Sequence, residues 1–456
     1  MDIEIPLGKR TKKYRFFEML PGWLSYGAII LLIILSIVNP VLASIYLLTI
    51  ILVAFVKTIA ISYRVVSGHR NMERASRVDW SGRLLDLESP KESYSRLRDI
   101  PSGALLYKQH LENLRFMSAG HFPNPSNIYN ALIMPAYNES IEVIEPALKS
   151  VLDTTYDKTR LIVVFAYEER GGAEIDKTAH ILKEKYGKNF HSFHIVKHPK
   201  DLPNEVVGKG GNITYAGKWL QQYLQHEGIA FSDVIVTTMD CDNKPHKHYF
   251  DYLTYEYITH EDRKHLSFQP ICLFTNNIWD VPAPMRVVAT GNSFWNIISS
   301  MRPYSLRNFA SHAQPMSALV EMNFWSTRTI VEDGHQYWRS YFYFNGNYEV
   351  VPMFVPIYQD AVLSNGYVKT LRAQFIQLRR WSYGASDVAY VGNNVFNKDR
   401  KVRFLPSLAR FIRLLDGHVT QACIALIVAF GGWAPLVLNG EAARSVAAHQ
   451  LPDTVS

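Results

Sequence analysis

Asp240-Cys241-Asp242 is the stretch of this chain whose residue types and spacing most directly suggest chemistry. It follows the apolar run Asp233–Met239 (DVIVTTM), whose β-branched residues predict a buried strand. Two carboxylates two residues apart at a strand end can hold a hard divalent ion, Mg2+ or Mn2+, together with a substrate's phosphate oxygens. Acidic pairs also occur in plain solvated turns, so the pair has to be weighed with its companions. Met134-Pro135-Ala136-Tyr137-Asn138-Glu139 closes an earlier apolar run, and Gly208-Lys209-Gly210-Gly211-Asn212 leads into a helical stretch. There Lys209 and the helix amino terminus suit phosphate charge, although such a turn is often only a loop. Val331-Glu332-Asp333-Gly334 has the composition of a helix start. In Gln377-Leu378-Arg379-Arg380-Trp381, a helix would place Gln377, Arg380 and Trp381 on one face. Arg380 would then suit a diphosphate and Trp381 a sugar ring, or both would sit at lipid-headgroup level.

The elements that must position these groups are readable from about Asn130 onward. Short apolar runs at Ala131–Pro135, Leu161–Ala166, Phe193–Val196 and Asp233–Met239 alternate with helical stretches at Ile141–Leu152, Glu174–Lys185 and Asn212–Gln225. Uniformly apolar strands alternating with helices predict a parallel sheet covered on both faces, a doubly wound α/β domain. Ligands of such sheets bind beyond the carboxyl ends of the strands, where Tyr137 and Asp240 fall.

The order of these segments resembles the family 2 glycosyltransferases, in the polysaccharide-synthase-like branch that includes cellulose, chitin and hyaluronan synthases. The matching motifs are P-x-Y-N-E, K-x-G-N, D-x-D, E-D and Q-x-x-R-W, over roughly residues 128–385. The resemblance implies a GT-A-like fold that binds a nucleoside-diphosphate sugar, UDP-sugars being favoured. It places Pro135, Tyr137, Asn138, Glu139, Glu168, Lys209, Asn212, Asp240, Gln377, Arg380 and Trp381 around the donor, and Asp240 and Asp242 on the metal. Glu332 and Asp333 become the catalytic pair, with Asp333 the general base toward the acceptor hydroxyl. The chain departs from the family pattern at Ala166-Tyr167-Glu168-Glu169-Arg170, where many members carry Asp-Asp or Asp-Gly-Ser, so either Glu168 or Glu169 could meet the nucleotide base. Val331 stands where the family has a hydroxyl, and His246 and His248 are candidates for a third metal ligand. Trp279, Trp295, Trp325 and Trp338 are candidates for an acceptor groove or for core.

With 48% hydrophobic residues in 456, the chain is unevenly apolar. Leu24–Val38 and Val41–Val56 carry no charge and flank Asn39-Pro40, which predicts a helical hairpin crossing a membrane twice. Lys9, Arg10, Lys12, Lys13 and Arg15 before it, and Lys57, Arg64 and Arg70 after it, place both flanks on the cytoplasmic side. The expected organisation is a basic amino terminus (1–22), the hairpin (23–58), a juxtamembrane connector (59–127) and the catalytic domain (128–385). An interfacial amphipathic segment (386–416), a third span (417–439) and a tail (440–456) complete it. A net charge of +7 fits anionic headgroups or phosphate substrates, and no nucleic-acid motif is present. Three scattered cysteines fit a reducing compartment. The expected reaction is inverting transfer to a glycan or lipid-linked acceptor, either processive, with room for a partner membrane subunit, or once only onto a lipid carrier. A catalytically silent membrane scaffold is the rival from another class.

Overall fold

The computed structural model describes residues 3–100 and 105–440; the expected tail beyond residue 440 lies outside the described residues. The chain divides into two compact units, one formed by residues 3–5 and 65–382, the other by residues 6–64 and 383 onward.

Two long helices come first, α1 (Lys12–Val38) and α2 (Pro40–Ser76), followed by α3 (Trp80–Glu88), α4 (Pro90–Leu97) and α5 (Leu105–Met117). An alternating core follows: β1 (Tyr129–Ala136), α6 (Ile141–Leu152), β2 (Leu161–Glu168), α7 (Ala173–Tyr186), β3 (Ser192–His198), α8 (Lys209–His226) and β4 (Val234–Thr238). The second half adds β5 (Lys244–Pro245), α9 (Tyr249–Thr259), β6 (Leu266–Leu273), α10 (Ala283–Ser300), β7 (Ala313–Pro315), α11 (Met316–Glu321) and α12 (Glu332–Tyr343). Then come β8 (Glu349–Tyr358), α13 (Tyr367–Ser382), α14 (Asp387–Val395), α15 (Phe404–Phe430) and α16 (Trp433–Leu438).

In the first unit the strands form one sheet in the order β3-β2-β1-β4-β7-β6-β8-β5. The β3-β2-β1-β4 half is parallel throughout. β7 then joins β4 and β6 antiparallel, so the second half is mixed. Strand alternation sorts the core into two layers. Leu132, Met134, Val163 and Phe165 face α3, α6, α7 and α9, while Ala131, Ile133, Ile162 and Val164 face α8 and α11. With both faces covered, nearly every residue of β1, β2 and β4 is apolar, and each fully buried side chain stabilises the sheet by about 1.5–3 kcal/mol. The doubly wound α/β expectation holds for this half. β5 to β8 were not read from the sequence: β5 and β7 are two and three residues long and give no period, and β6 and β8 are interrupted by Pro270, Pro352 and Pro356.

β1 runs parallel to β2 as far as Ala136–Tyr167, but its pairing with β4 stops at Ile133–Thr238. Since β1 connects outward to β2 and β4 lies on its other side, this divergence is the topological crevice of the sheet.

In the second unit, α1 ends at Val38 and Asn39 caps α2 through its side-chain oxygen, which accepts from Val41 N–H at 3.0 Å. This is the turn expected at Asn39-Pro40. α1, α2 and α15 are each long and apolar enough to cross a membrane. They turn Ile30, Ile45, Leu52 and Phe55 outward while Leu32, Ala43, Leu47, Cys423 and Ile427 pack together. The expected boundary at 416/417 is absent, because α15 runs through it without a break. Pro406 lies in its first turn, where proline is tolerated, and the helix stops only at Gly431-Gly432. Nor does the start of the expected interfacial segment stand alone: Phe396, just after α14, stacks on Phe17 of α1 at 5.5 Å.

Candidate active site

α8 and α12 both begin at the crevice, and their first residues meet there. Lys209 is the first residue of α8, a position where the helix dipole disfavours a cation. Its Nζ lies 2.6 Å from Asp240 Oδ1, and Glu332 and Asp333 of α12 add their fields. Burial alone would lower the lysine pKa; the three carboxylates overcome it and leave the group more firmly protonated than usual.

The acids respond in the opposite direction. Burial raises the pKa of Glu332, and neighbouring Asp333 raises it further while Lys209 opposes. Asp333 is likewise pushed up by burial and drawn down by Lys209, by the Gly334 N–H and by Arg380. Asp333 Oδ1 accepts that N–H at 2.7 Å. Glu332 is buried whereas Asp333 is partly open, so Asp333 is the one that can meet a second substrate.

Asp240-Cys241-Asp242 leaves β4 as a turn closed by Asn243 N–H to Asp240 C=O at 3.0 Å. The middle cysteine packs into the core, and the acids on either side of it are half-buried. Asp242 is lifted to about 7 by burial and then by the negative charges of Asp240 and Asp360. Asp360 follows β8, and Asn276 ties its strand to the turn by donating to Asp242 C=O and Tyr358 C=O, each at 3.2 Å. Among the described residues no three His, Cys, Asp or Glu side chains converge as a ready-made metal cage. His246 and His248 are held through Nδ1: His248 Nδ1 bonds Thr155 Oγ1 at 3.0 Å, and His246 Nδ1 accepts from the His248 backbone at 3.3 Å. The excess of negative charge around Asp242 nevertheless fits a hard cation, whose remaining positions substrate phosphates can fill.

A second group of predicted residues forms the wall beyond β1 and β2. Tyr137 and Asn138 are exposed, and Glu139 folds back to accept from the Tyr137 N–H at 2.7 Å. Arg170 lies over the Tyr137 ring at 5.6 Å and pairs with buried Glu168. Glu169 instead faces outward and accepts from Lys200 N–H at 3.1 Å, so of the two glutamates Glu168 is the one turned to this wall. The turn beyond β2 fits because Gly171 has no Cβ to collide with the Tyr137 carbonyl.

Other predicted residues are placed differently. Asn212 is fully buried, and its amide donates to Ala166 C=O at 2.8 Å and reaches Ala136 C=O at 3.5 Å. It therefore braces the ends of β1 and β2. Pro135 sits inside β1 beyond the β4 pairing, where its missing N–H costs no ladder bond. On α13, Gln377 is held by Gln374 at 3.1 Å, while Arg380 is exposed with its charge felt at Asp333. Trp381 is partly exposed, 6.3 Å from the Phe274 ring. Trp325 and Trp338 are core, whereas Trp279 and Trp295 are exposed. Asp360, Asn276 and Arg170 were missed by sequence reading; an acid just after the apolar run Glu349–Tyr358 was the available signal for Asp360.

No family model matches the chain, and no curated protein matches it in sequence. Among solved structures it is similar to the mannosyltransferase PcManGT from Pyrobaculum calidifontis in complex with GDP-Man and Mn2+. That match has 15% identity and a TM-score of 0.44, covering 86% of this chain and 90% of the other. It is also similar to TarS of S. aureus in complex with UDP-GlcNAc, with 16% identity and a TM-score of 0.34 over 72% of this chain and 88% of the other.

Proposed function

We propose that this chain is a membrane-anchored glycosyltransferase that moves a sugar from a nucleoside diphosphate, UDP being favoured, to a glycan or lipid-linked acceptor hydroxyl. The observation that carries the reading is Lys209, bound to Asp240 and within the field of Glu332 and Asp333 at the mouth of the sheet crevice. A cation placed there suits a diphosphate, and a carboxylate beside it suits a hydroxyl that must lose its proton.

In this mechanism Asp333 takes the acceptor's proton as the acceptor oxygen bonds the anomeric carbon from the face opposite the diphosphate. The bond to the diphosphate breaks in the same displacement, and configuration inverts. Lys209 and Arg380 receive the charge left on the diphosphate. Glu332, buried beside Lys209, holds that lysine in place, and the Tyr137–Arg170–Glu168 wall is the side on which the nucleotide base rests. Asp240 and Asp242 would hold Mg2+ or Mn2+, which when bound neutralises charge on the leaving group. The Gln377–Trp381 stretch is what favours polymer synthesis over a single transfer to a lipid carrier, and counting sugars added per binding event separates the two.

Calorimetric titration of the full chain in detergent with UDP, with and without Mn2+, tests the reading against a silent scaffold. We expect micromolar-range binding that weakens at least about tenfold without the ion. Absence of binding in both conditions would remove the basis of the proposal.

A further inference from the structure

The start of the segment ahead of α1 belongs to the unit that carries the site: residues 3–5 group with residues 65–382. One Glu4 oxygen accepts from Ser326 Oγ at 2.7 Å, and the other pairs with Arg339 Nη2. Ile5 C=O accepts from Arg328 Nη1 at 3.0 Å, and the Ile5 side chain is buried. Arg339 is only 1% exposed and sits on α12, two turns after Asp333. Its guanidinium also donates to Gln336 Oε1 at 3.0 Å, to Met322 C=O at 3.3 Å and to Phe324 C=O. A buried guanidinium surrounded by neutral carbonyls needs a counter-charge, and Glu4 supplies it.

What Arg339 grips is the loop on which α8 rests. Asn323 and Phe324 both hold left-handed backbone, at φ 57° and 63°, which for phenylalanine persists only where the surroundings enforce it. α8 lies directly on this loop: Thr214 Oγ1 donates to Trp325 C=O at 3.0 Å, and a Cβ on Gly217 would come within 2.5 Å of the Phe324 ring. Gly210, next to Lys209, is pressed against the Ser326 carbonyl so closely that a Cβ would collide with it.

We propose that Glu4 is a positioning residue: through Arg339 and loop 322–328 it fixes the start of α8, and so sets Lys209 against Asp240 and Asp333. The amino-terminal segment is thus a working part of the catalytic unit as well as the lead-in to the first candidate span. The kinetic consequence rests on the transferase reading above; the structural coupling does not.

The test uses full-length protein in detergent, as wild type, Glu4→Ala, Glu4→Gln and the double variant Glu4→Ala/Arg339→Met. Amide hydrogen exchange is followed over residues 209–214 and 322–328. Exchange there should speed up at least about tenfold in Glu4→Ala, and the double variant, which removes the grip on the loop itself, should exchange at least as fast; wild-type exchange in the double variant would overturn the proposal. Unchanged exchange in Glu4→Ala overturns the proposal, whether or not the wild type transfers sugar. With transfer assayed, kcat per nucleotide-binding site should fall about tenfold in Glu4→Ala while donor KM moves less than about threefold, with Glu4→Gln intermediate. Faster exchange with kcat per site unchanged in Glu4→Ala would reduce Glu4 to a purely structural contact and overturn the positioning role. A wild type that transfers no sugar counts against the proposed function alone, and the exchange data still decide the coupling.

Discussion

Lys209 is the most constrained ionisable side chain in the site, since a helix start repels it and three acids hold it. Motif reading could find it because lysine beside paired glycines is a visible combination. Asp333 and Asp240 were visible for the same reason. Asp360 was harder to find, because its one signal is that it follows the apolar run Glu349–Tyr358, and the pairing of β5 with β8 is what brings it near Asp242. His312 was equally hidden. It lies beside β7 with Nδ1 2.9 Å from Phe309 C=O, while the Trp325 indole donates to Nε2 at 3.1 Å, an arrangement that admits only the neutral ring. Burial lowers its pKa to about 4 from an ordinary 6.5. The unfolded chain therefore binds the extra proton between those values, so the histidine's contribution is complete above about pH 6.5 and is lost as pH falls toward 4. The slope is about 1.4 kcal/mol per unit and the total on the order of 3 kcal/mol. Thermal midpoints measured from pH 7.5 to 5 should fall more steeply for wild type than for His312→Gln. The difference between the two curves isolates this group from buried carboxylates such as Asp242, which titrate with the opposite sign. Parallel curves would refute the assignment.

At the scale of elements, β1, α6, β2, α7, β3, α8 and β4 stand close to where apolar periodicity puts them, because each buries a complete face. The mixed half of the sheet escaped notice because β5 and β7 are short and its pairings are distant in sequence. Asn212 shows a motif residue with structural work that the sequence did not announce: its amide holds two strand ends together. The seat of α8 yields a steric prediction. Gly210→Ala replaces the poorer helix former by the better one, a gain of about 1 kcal/mol in an open helix. Here the new Cβ meets the Ser326 carbonyl, so a net loss of about 1–3 kcal/mol is expected. Gly291→Ala on α10 meets no atom within 4 Å and is the control. Thermal midpoints should fall for the first and hold or rise for the second, and a rise in both would mean that α8 is not seated as described.

For the molecule as a whole, α1, α2 and α15 give it three helices able to cross a membrane, with Lys57 and Asp416 3.2 Å apart between α2 and α15. The hairpin was legible because proline and asparagine punctuate two uncharged runs. The length of α15 was not, because its amphipathic start and apolar end look like separate segments when read as windows. Helices of this kind predict that the chain sediments with membranes and stays there through 1 M salt and alkaline carbonate, whereas a surface-bound protein would be released. Recovery in the soluble fraction would contradict the anchoring. The central claim, sugar transfer with Asp333 as the base, is tested most directly by Asp333→Asn in the full-length protein. Transfer of labelled sugar from the preferred nucleotide donor to membrane acceptor should drop at least about a thousandfold, while calorimetric affinity for UDP with Mn2+ changes less than about threefold. Transfer retained in that variant would contradict the account.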